Sequence, residues 1–219
     1  AVAGAAVVVV TVVGVVVPYV TRWYFAQLIS GVSGVLREQG FHALLFDVGD
    51  EGPHRALLLD SRMLFKRVDA VAILSLRLHE DERRLLRRIK IPVVTVGVPD
   101  PDWPCIRIDD VRTTRLATQH LLGLGHRRIG YVGGATESTM DFPTPADRAH
   151  GVREALRQAG TGIAAQHVVL ADWTPAGGLR AGLALLGRPD RPTAVVCASD
   201  EIAFGVLRAA ADLGLSVPG

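Results

Sequence analysis

Six side chains able to make directional polar or ring contacts fall where alternating strands and helices would present them to a ligand: Tyr24, Phe25, Ser75, Arg148, Trp173 and Asp200. Tyr24 and Phe25 follow the first apolar run and Ser75 follows the third; Trp173 stands just past another. Arg148 is expected to open a helix, and Asp200 comes directly after Cys197-Ala198-Ser199. In parallel α/β sheets ligands bind beyond the carboxyl ends of the strands. An aromatic plate, a guanidinium and a carboxylate meeting there suit a polyol or sugar ring, whose hydroxyls take hydrogen bonds while its C–H faces stack. Five of the six also have a plainer reading. Arg148 could be a surface arginine, Asp200 a helix N-cap, Trp173 a cover for the core, and Tyr24 and Phe25 packing residues.

Bond-making chemistry finds no comparable support. The chain has no GxSxG elbow, no phosphate-binding P-loop, no HExxH and no paired-cysteine motif, so no catalytic residue, metal ligand or cofactor is expected. Cys105 and Cys197 each sit in an apolar run and read as buried free thiols of a reducing compartment. His120 and His126 are too far apart in sequence for a metal motif.

The elements that must position these residues are organised around Gly125–Gly134, GHRRIGYVGG. Leu116, Leu121, Leu122 and Leu124 before it recur at helical steps, and Gly125 stops that helix. Ile129 to Val132 is a compact apolar strand, which the Gly133-Gly134 pair is expected to close in a tight loop. A dinucleotide-binding loop needs strand, glycines, then helix; the order here is reversed, which excludes that reading. His126, Arg127 and Arg128 lie at the amino end of the strand and read as structural.

Upstream, Val12–Val17 reads as a buried parallel strand. Ala1 to Val17 carries only Thr11 as a polar side chain, yet it lacks the basic segment of a signal peptide and is dominated by valine, so neither export nor a membrane span is expected. A helix over Tyr24–Arg37, strands at Ala43–Phe46 and Val71–Leu74, and a helix over Arg55–Phe65 follow. HEDERRLLRRIK reads as a solvated helix, Pro92–Val96 as the fourth strand, and Ile106 and Ile108 as part of a fifth. After Asp109–Thr113 the pattern restarts with helices at Arg148–Gln158, Ala176–Leu186 and Glu201–Leu213 and strands at His167–Leu170 and Ala194–Cys197. The fold class is therefore α/β: two similar doubly wound parallel-sheet units, residues 1–108 and 109–219, facing a ligand cleft. With 219 residues, 49% of them hydrophobic, the chain can bury a substantial core, and a net charge of +2 leaves no electrostatic footprint for nucleic acid.

The GHRRIGYVGG step resembles the effector-binding domain of the lactose-repressor family of bacterial transcription regulators. GVVVP at Gly14–Pro18, RVDAVAI at Arg67–Ile73, IPVV at Ile91–Val94, IDD at Ile108–Asp110, RAHG at Arg148–Gly151, TAVVCASDEIAFGV at Thr193–Val206 and LGLSVP at Leu213–Pro218 agree with it in order. The family's helix-turn-helix is not in this sequence, and the family usually continues beyond the position of Gly219. The resemblance implies a periplasmic-binding-protein-like (type I) architecture, incomplete at its C-terminal end. It further implies a cytoplasmic homodimer that holds a small-molecule effector, a sugar or sugar derivative, and passes a change of orientation to headpieces bound to operator DNA. It gives Arg148 and Asp200 the role of effector contacts, Trp173 that of an aromatic packed on the ligand, and Tyr24 and Phe25 that of the aromatic pair after strand one. Asp109 and Asp110 resemble the acidic pair near the crossing between the units. A periplasmic sugar-binding protein of a transport system, with the same architecture, remains the alternative.

Overall fold

Alternating runs of β-branched residues and amphipathic helices build two units, and the structure, a computed structural model, describes residues 11–49, 66–135 and 142–218. The first unit comprises residues up to Arg107 together with 139–142, and the second runs from Ile108 to Ser138 and from Pro143 onward. The helix expected over Arg55–Phe65 lies outside the described residues.

The first unit carries β1 (Val12–Val17), α1 (Trp23–Glu38), β2 (His42–Asp47), β3 (Ala70–Leu74), α2 (Glu80–Ile89), β4 (Val93–Val96) and β5 (Cys105–Ile106). The strands form one parallel sheet in the order β2-β1-β3-β4-β5. Because side chains alternate across a strand, β1 and β3 feed two cores at once. Val15, Val17, Ala72 and Leu74 pack with Phe25, Leu28, Ile29 and Val32 of α1, while Val16, Val71 and Ile73 pack with Phe46 and with Leu86 of α2. Burial on both faces is why these strands read as continuous apolar runs. Each fully buried Val or Ile among them contributes roughly 1.5–3 kcal/mol.

The second unit carries α3 (Asp110–Gly123), β6 (Ile129–Gly134), α4 (Thr144–Gln158), a 3-10 turn (Ala165–His167), β7 (Val168–Ala171), α5 (Pro175–Leu186), β8 (Ala194–Cys197) and α6 (Asp200–Asp212). Its parallel sheet has the order β7-β6-β8. α3 crosses α4 where a Cβ on Gly151 would strike the Val111 carbonyl and the Thr114 hydroxyl, and that hydroxyl donates to the Arg148 carbonyl at 2.8 Å.

Several boundaries differ from those expected. β6 does not end before Gly133-Gly134 but runs through both, and both are buried. A Cβ on Gly134 would fall within the indole of Trp173, far along the chain, and one on Gly133 would come 2.8 Å from the nearby Tyr131 ring. α4 starts at Thr144, so Arg148 lies beyond its first turn instead of opening it; Pro145 sits in that first turn, where no hydrogen bond is lost. β5 stops at Ile106, and Ile108 is exposed, being past the last residue paired with β4. α2 is less uniformly solvated than its charges suggest, because Glu82 is buried, accepting from the His79 backbone N–H at 2.6 Å in a capping box.

Candidate functional site

The second unit gathers its polar residues where strands end and helices begin. β6 ends at Gly134, β7 leads through Asp172 to Trp173, and β8 leads through Ala198 and Ser199 to Asp200, while the first residue of α3 is Asp110 and the second turn of α4 carries Arg148, which reaches Asp110 and the Ala198 carbonyl. Arg148 is the hub. Its Nε–H donates to Asp110 Oδ1 at 2.7 Å, an Nη1–H donates to the Ala198 carbonyl, and its guanidinium carbon stands 5.8 Å from the centre of the Trp173 ring. The Asp110 and Arg148 side chains retain 12% and 19% of their exposure, so the pair is shielded from solvent screening but not sealed. Asp110 also accepts the Thr144 hydroxyl at 3.4 Å. As the first residue of α3 it opposes the positive end of the helix dipole.

Trp173 is half-buried, its indole lying where Gly134 has no side chain. Thr174 follows it and caps α5 by accepting from the Gly177 N–H at 3.0 Å, which fixes the chain just past the indole. Asp200 is exposed and, among the described residues, its carboxylate makes no hydrogen bond or ion pair. The capping role open to it falls instead to Ser199, whose Oγ accepts from the Ile202 N–H at 3.3 Å. Asp200 is left as a free carboxylate at a helix start.

Below this surface two groups are held neutral. The Tyr131 hydroxyl is buried without a hydrogen-bond partner among the described residues, and burial pushes the phenol up to about 12. Burial likewise pushes the Cys197 thiol up to about 12. Neither serves as a nucleophile at neutral pH.

The first unit places its own set at the carboxyl ends of β1 and β3. The Tyr24 hydroxyl lies 3.3 Å from Ser75 Oγ, joining two of the residues singled out from the sequence. Ser75 has φ 49°, in the left-handed region, and is only 8% exposed; its backbone N–H donates to the Val96 carbonyl at 2.7 Å. Such strain in a non-glycine residue persists where the surroundings over-determine it, and it clusters at ligand sites. Phe25 does not join Tyr24 at the surface. It is 4% exposed, packed edge-on to Tyr24 with ring centres 5.1 Å apart, whereas Tyr24 is 42% exposed. Tyr19 completes the aromatic group and carries the Arg22 guanidinium over its ring at 3.9 Å.

Asp110 and the Ala198 carbonyl hold Arg148 in place, and Thr144 in turn donates to Asp110; none of these stood among the candidate site residues. The acidic pair Asp109-Asp110 is the one signal that pointed toward them; Asp109 itself caps α3 by accepting from the Arg112 N–H at 2.9 Å. His126, Arg127 and Arg128 are occupied with local structure: His126 Nδ1 lies 3.0 Å from Thr193 Oγ1, Arg127 donates to the Leu122 carbonyl and Arg128 to the Arg191 carbonyl. Among the described residues no cluster of His, Cys, Asp or Glu could hold a metal ion, and no helix is long and apolar enough to cross a membrane.

Residues 10–219 match the family described as periplasmic binding proteins and sugar binding domain of LacI family. Catabolite control protein A of Priestia megaterium is 29% identical over 210 residues, covering 95% of this chain and 62% of that protein. The HTH-type transcriptional repressor CytR of Escherichia coli is 30% identical over 206 residues, covering 93% of this chain and 59% of that protein. The chain thus spans about three-fifths of the length of these curated relatives. Among solved structures, a LacI-family regulator from Sanguibacter keddieii superposes with a TM-score of 0.80 at 32% identity, covering 95% of this chain and 74% of that one. A complex of the transcriptional regulator CelR with cellobiose superposes with a TM-score of 0.79 at 30% identity, covering 94% of this chain and 64% of that one.

Proposed function

We propose, from the fact that this chain belongs to the family of periplasmic binding proteins and LacI-family sugar-binding domains, that it is the effector-sensing part of a DNA-binding transcriptional repressor. The observation that carries the reading is the convergence of Arg148, Trp173 and Asp200 on the carboxyl ends of β6, β7 and β8 in a chain whose relatives are repressors. The effector is a sugar or sugar derivative: its ring packs on Trp173, and its hydroxyls meet Arg148 and Asp200. Within the first unit, Tyr24 and Ser75 are proposed as ligand-contacting residues in their own right, and Phe25 supports Tyr24 from within. The cellobiose held by CelR fits this ligand class.

The regulator works in the cytoplasm as a homodimer and meets operator DNA through a helix-turn-helix outside this sequence. It performs no catalysis. An effector shifts the protein only to the extent that it binds one conformation better than the other, and operator affinity changes by that same factor. The test is a thermal-shift screen of the full-length gene product against neutral sugars, sugar phosphates, nucleosides and purines, with calorimetry on each hit. A ligand that binds only the native state raises its melting temperature. The reading predicts a hit that disappears in both Arg148→Ala and Asp200→Ala; a hit untouched by either substitution sinks the assignment of the site.

A further inference from the structure

The cation at the strand ends of the second unit is already divided among protein partners, and that division bears on what it can receive. Of the basic side chains at those ends, Arg180 is taken by Asp172 at 2.6 Å. Arg148 remains. Its Nε is given to Asp110 and its Nη1 to the Ala198 carbonyl, which leaves Nη2 without a partner among the described residues. A carboxylate or phosphate is captured strongly by two parallel N–H groups on one edge of a guanidinium. Asp110 takes the Nε–H and the Ala198 carbonyl takes an Nη1–H, so two of the three guanidinium nitrogens already donate to protein oxygens.

The charge balance points the same way. Asp110 compensates Arg148 at 2.7 Å in a shielded position. Two residues beyond Ala198, Asp200 adds a carboxylate that no cation pairs among the described residues. A hydroxyl can accept from Nη2 and donate to a carboxylate; a carboxylate or the dianion of a sugar phosphate monoester can only accept.

Resting on the effector-sensor reading above, we propose that the effector group received at Arg148 is uncharged, the hydroxyl of a neutral sugar or polyol, and that Asp110 is the specificity-determining residue that excludes sugar phosphates and sugar acids. Asp110 does so by taking the Nε–H of the guanidinium and compensating its charge, without itself being the main ligand contact.

Inorganic phosphate is the probe, because it reports the state of Arg148 without knowledge of the effector. Phosphate is titrated at constant ionic strength into the full-length regulator, and binding is followed by melting temperature and by phosphorus NMR line width, in the parent and in Arg148→Ala. The parent is expected to show no phosphate binding that depends on Arg148. Asp110→Asn keeps the side-chain shape but removes the charge, and is expected to gain Arg148-dependent phosphate affinity of about ten-fold or more, the size of one charge-assisted contact. Loss of that gain in Asp110→Asn with Arg148→Ala ties it to the guanidinium. Circular dichroism checks folding, and Asp110→Ser repeats the test should the asparagine variant fail to fold. Arg148-dependent phosphate binding by the parent overturns the proposal, as does a folded Asp110 variant that gains none. Failure of the sensor reading looks different: an identified effector would bind Arg148→Ala and Asp200→Ala as tightly as the parent, whatever phosphate does.

Discussion

Gly134→Ala adds a single methyl group at the end of β6, and the structure states what that methyl meets. A Cβ there falls inside the Trp173 indole, against ring carbons Cζ2 and Cε2, so strand or indole must move. Two routes bound the cost. Overpacking a well-filled position typically costs about 1–3 kcal/mol. If the indole is expelled instead, a half-buried tryptophan loses about 100 Å² of contact, worth roughly 2.5 kcal/mol at about 25 cal/mol per Å². The expected loss is therefore about 1–3 kcal/mol, read as a lower urea midpoint at unchanged slope. The control is Gly34→Ala in α1, where an added Cβ meets nothing within 4 Å and the same substitution should gain about 0.5–1 kcal/mol from helix propensity. The chain has three tryptophans, so replacing Trp23 and Trp103 by Phe isolates the emission of Trp173, which should shift when Gly134 gains its methyl. Effector binding should weaken with it, since Trp173 and Arg148 face one another. A Gly134→Ala protein within about 0.5 kcal/mol of its parent, with unchanged Trp173 emission, would refute the account of why glycine ends this strand.

Arg148→Lys should weaken effector binding by about 1.5–3 kcal/mol despite keeping the charge, because an ammonium cannot hold Asp110, the Ala198 carbonyl and a ligand in one plane; calorimetry on a confirmed effector reads it. Thr174→Ala removes the cap of α5 and should cost about 1 kcal/mol by urea denaturation. High pH should destabilise the fold through Cys197 and Tyr131. Both have folded values near 12, above their ordinary values of 9.0 and 10.0, so the unfolded chain releases these protons first and stability falls as pH rises from about 9 to 12. Cys197→Ala should flatten the lower part of that decline in denaturation curves taken across the range. Alkylation of Cys197 at pH 8 should accordingly be slow until denaturant is added, as mass spectrometry of the modified peptide would show.

The strands were the most legible part of the chain. β1 and β8 have the bounds expected of them: each is an unbroken apolar run, and the last four residues of β1 are buried on both faces. Features decided by distant partners were not legible. Nothing local distinguishes a Gly-Gly that ends a strand from one that continues it; the deciding group is an indole 39 positions further on, from Gly134 to Trp173. α4 begins four residues before the expected Arg148, with Pro145 in its first turn, a position where the missing N–H costs no helix bond. At the site, Tyr24 and Phe25 read as a pair, yet neighbours on a helix point about 100° apart, so the ring that faces solvent and the ring that enters the core had to be different ones. The Asp110–Arg148 pair joins residues 38 apart in sequence and depends on α3 crossing α4 at Gly151, a contact that helical periodicity does not encode.

The central claim is that a ligand held by Arg148 and Asp200 changes how the full-length protein binds its operator. Fluorescence anisotropy of the full-length regulator on operator DNA, with and without the effector identified by the thermal screen, tests it most directly. The account predicts that effector shifts operator affinity by about 5- to 150-fold in the parent. It also predicts that Arg148→Ala and Asp200→Ala bind operator as the ligand-free parent does and ignore the effector. An operator affinity that is the same with and without bound effector, or a full response in both variants, would contradict it.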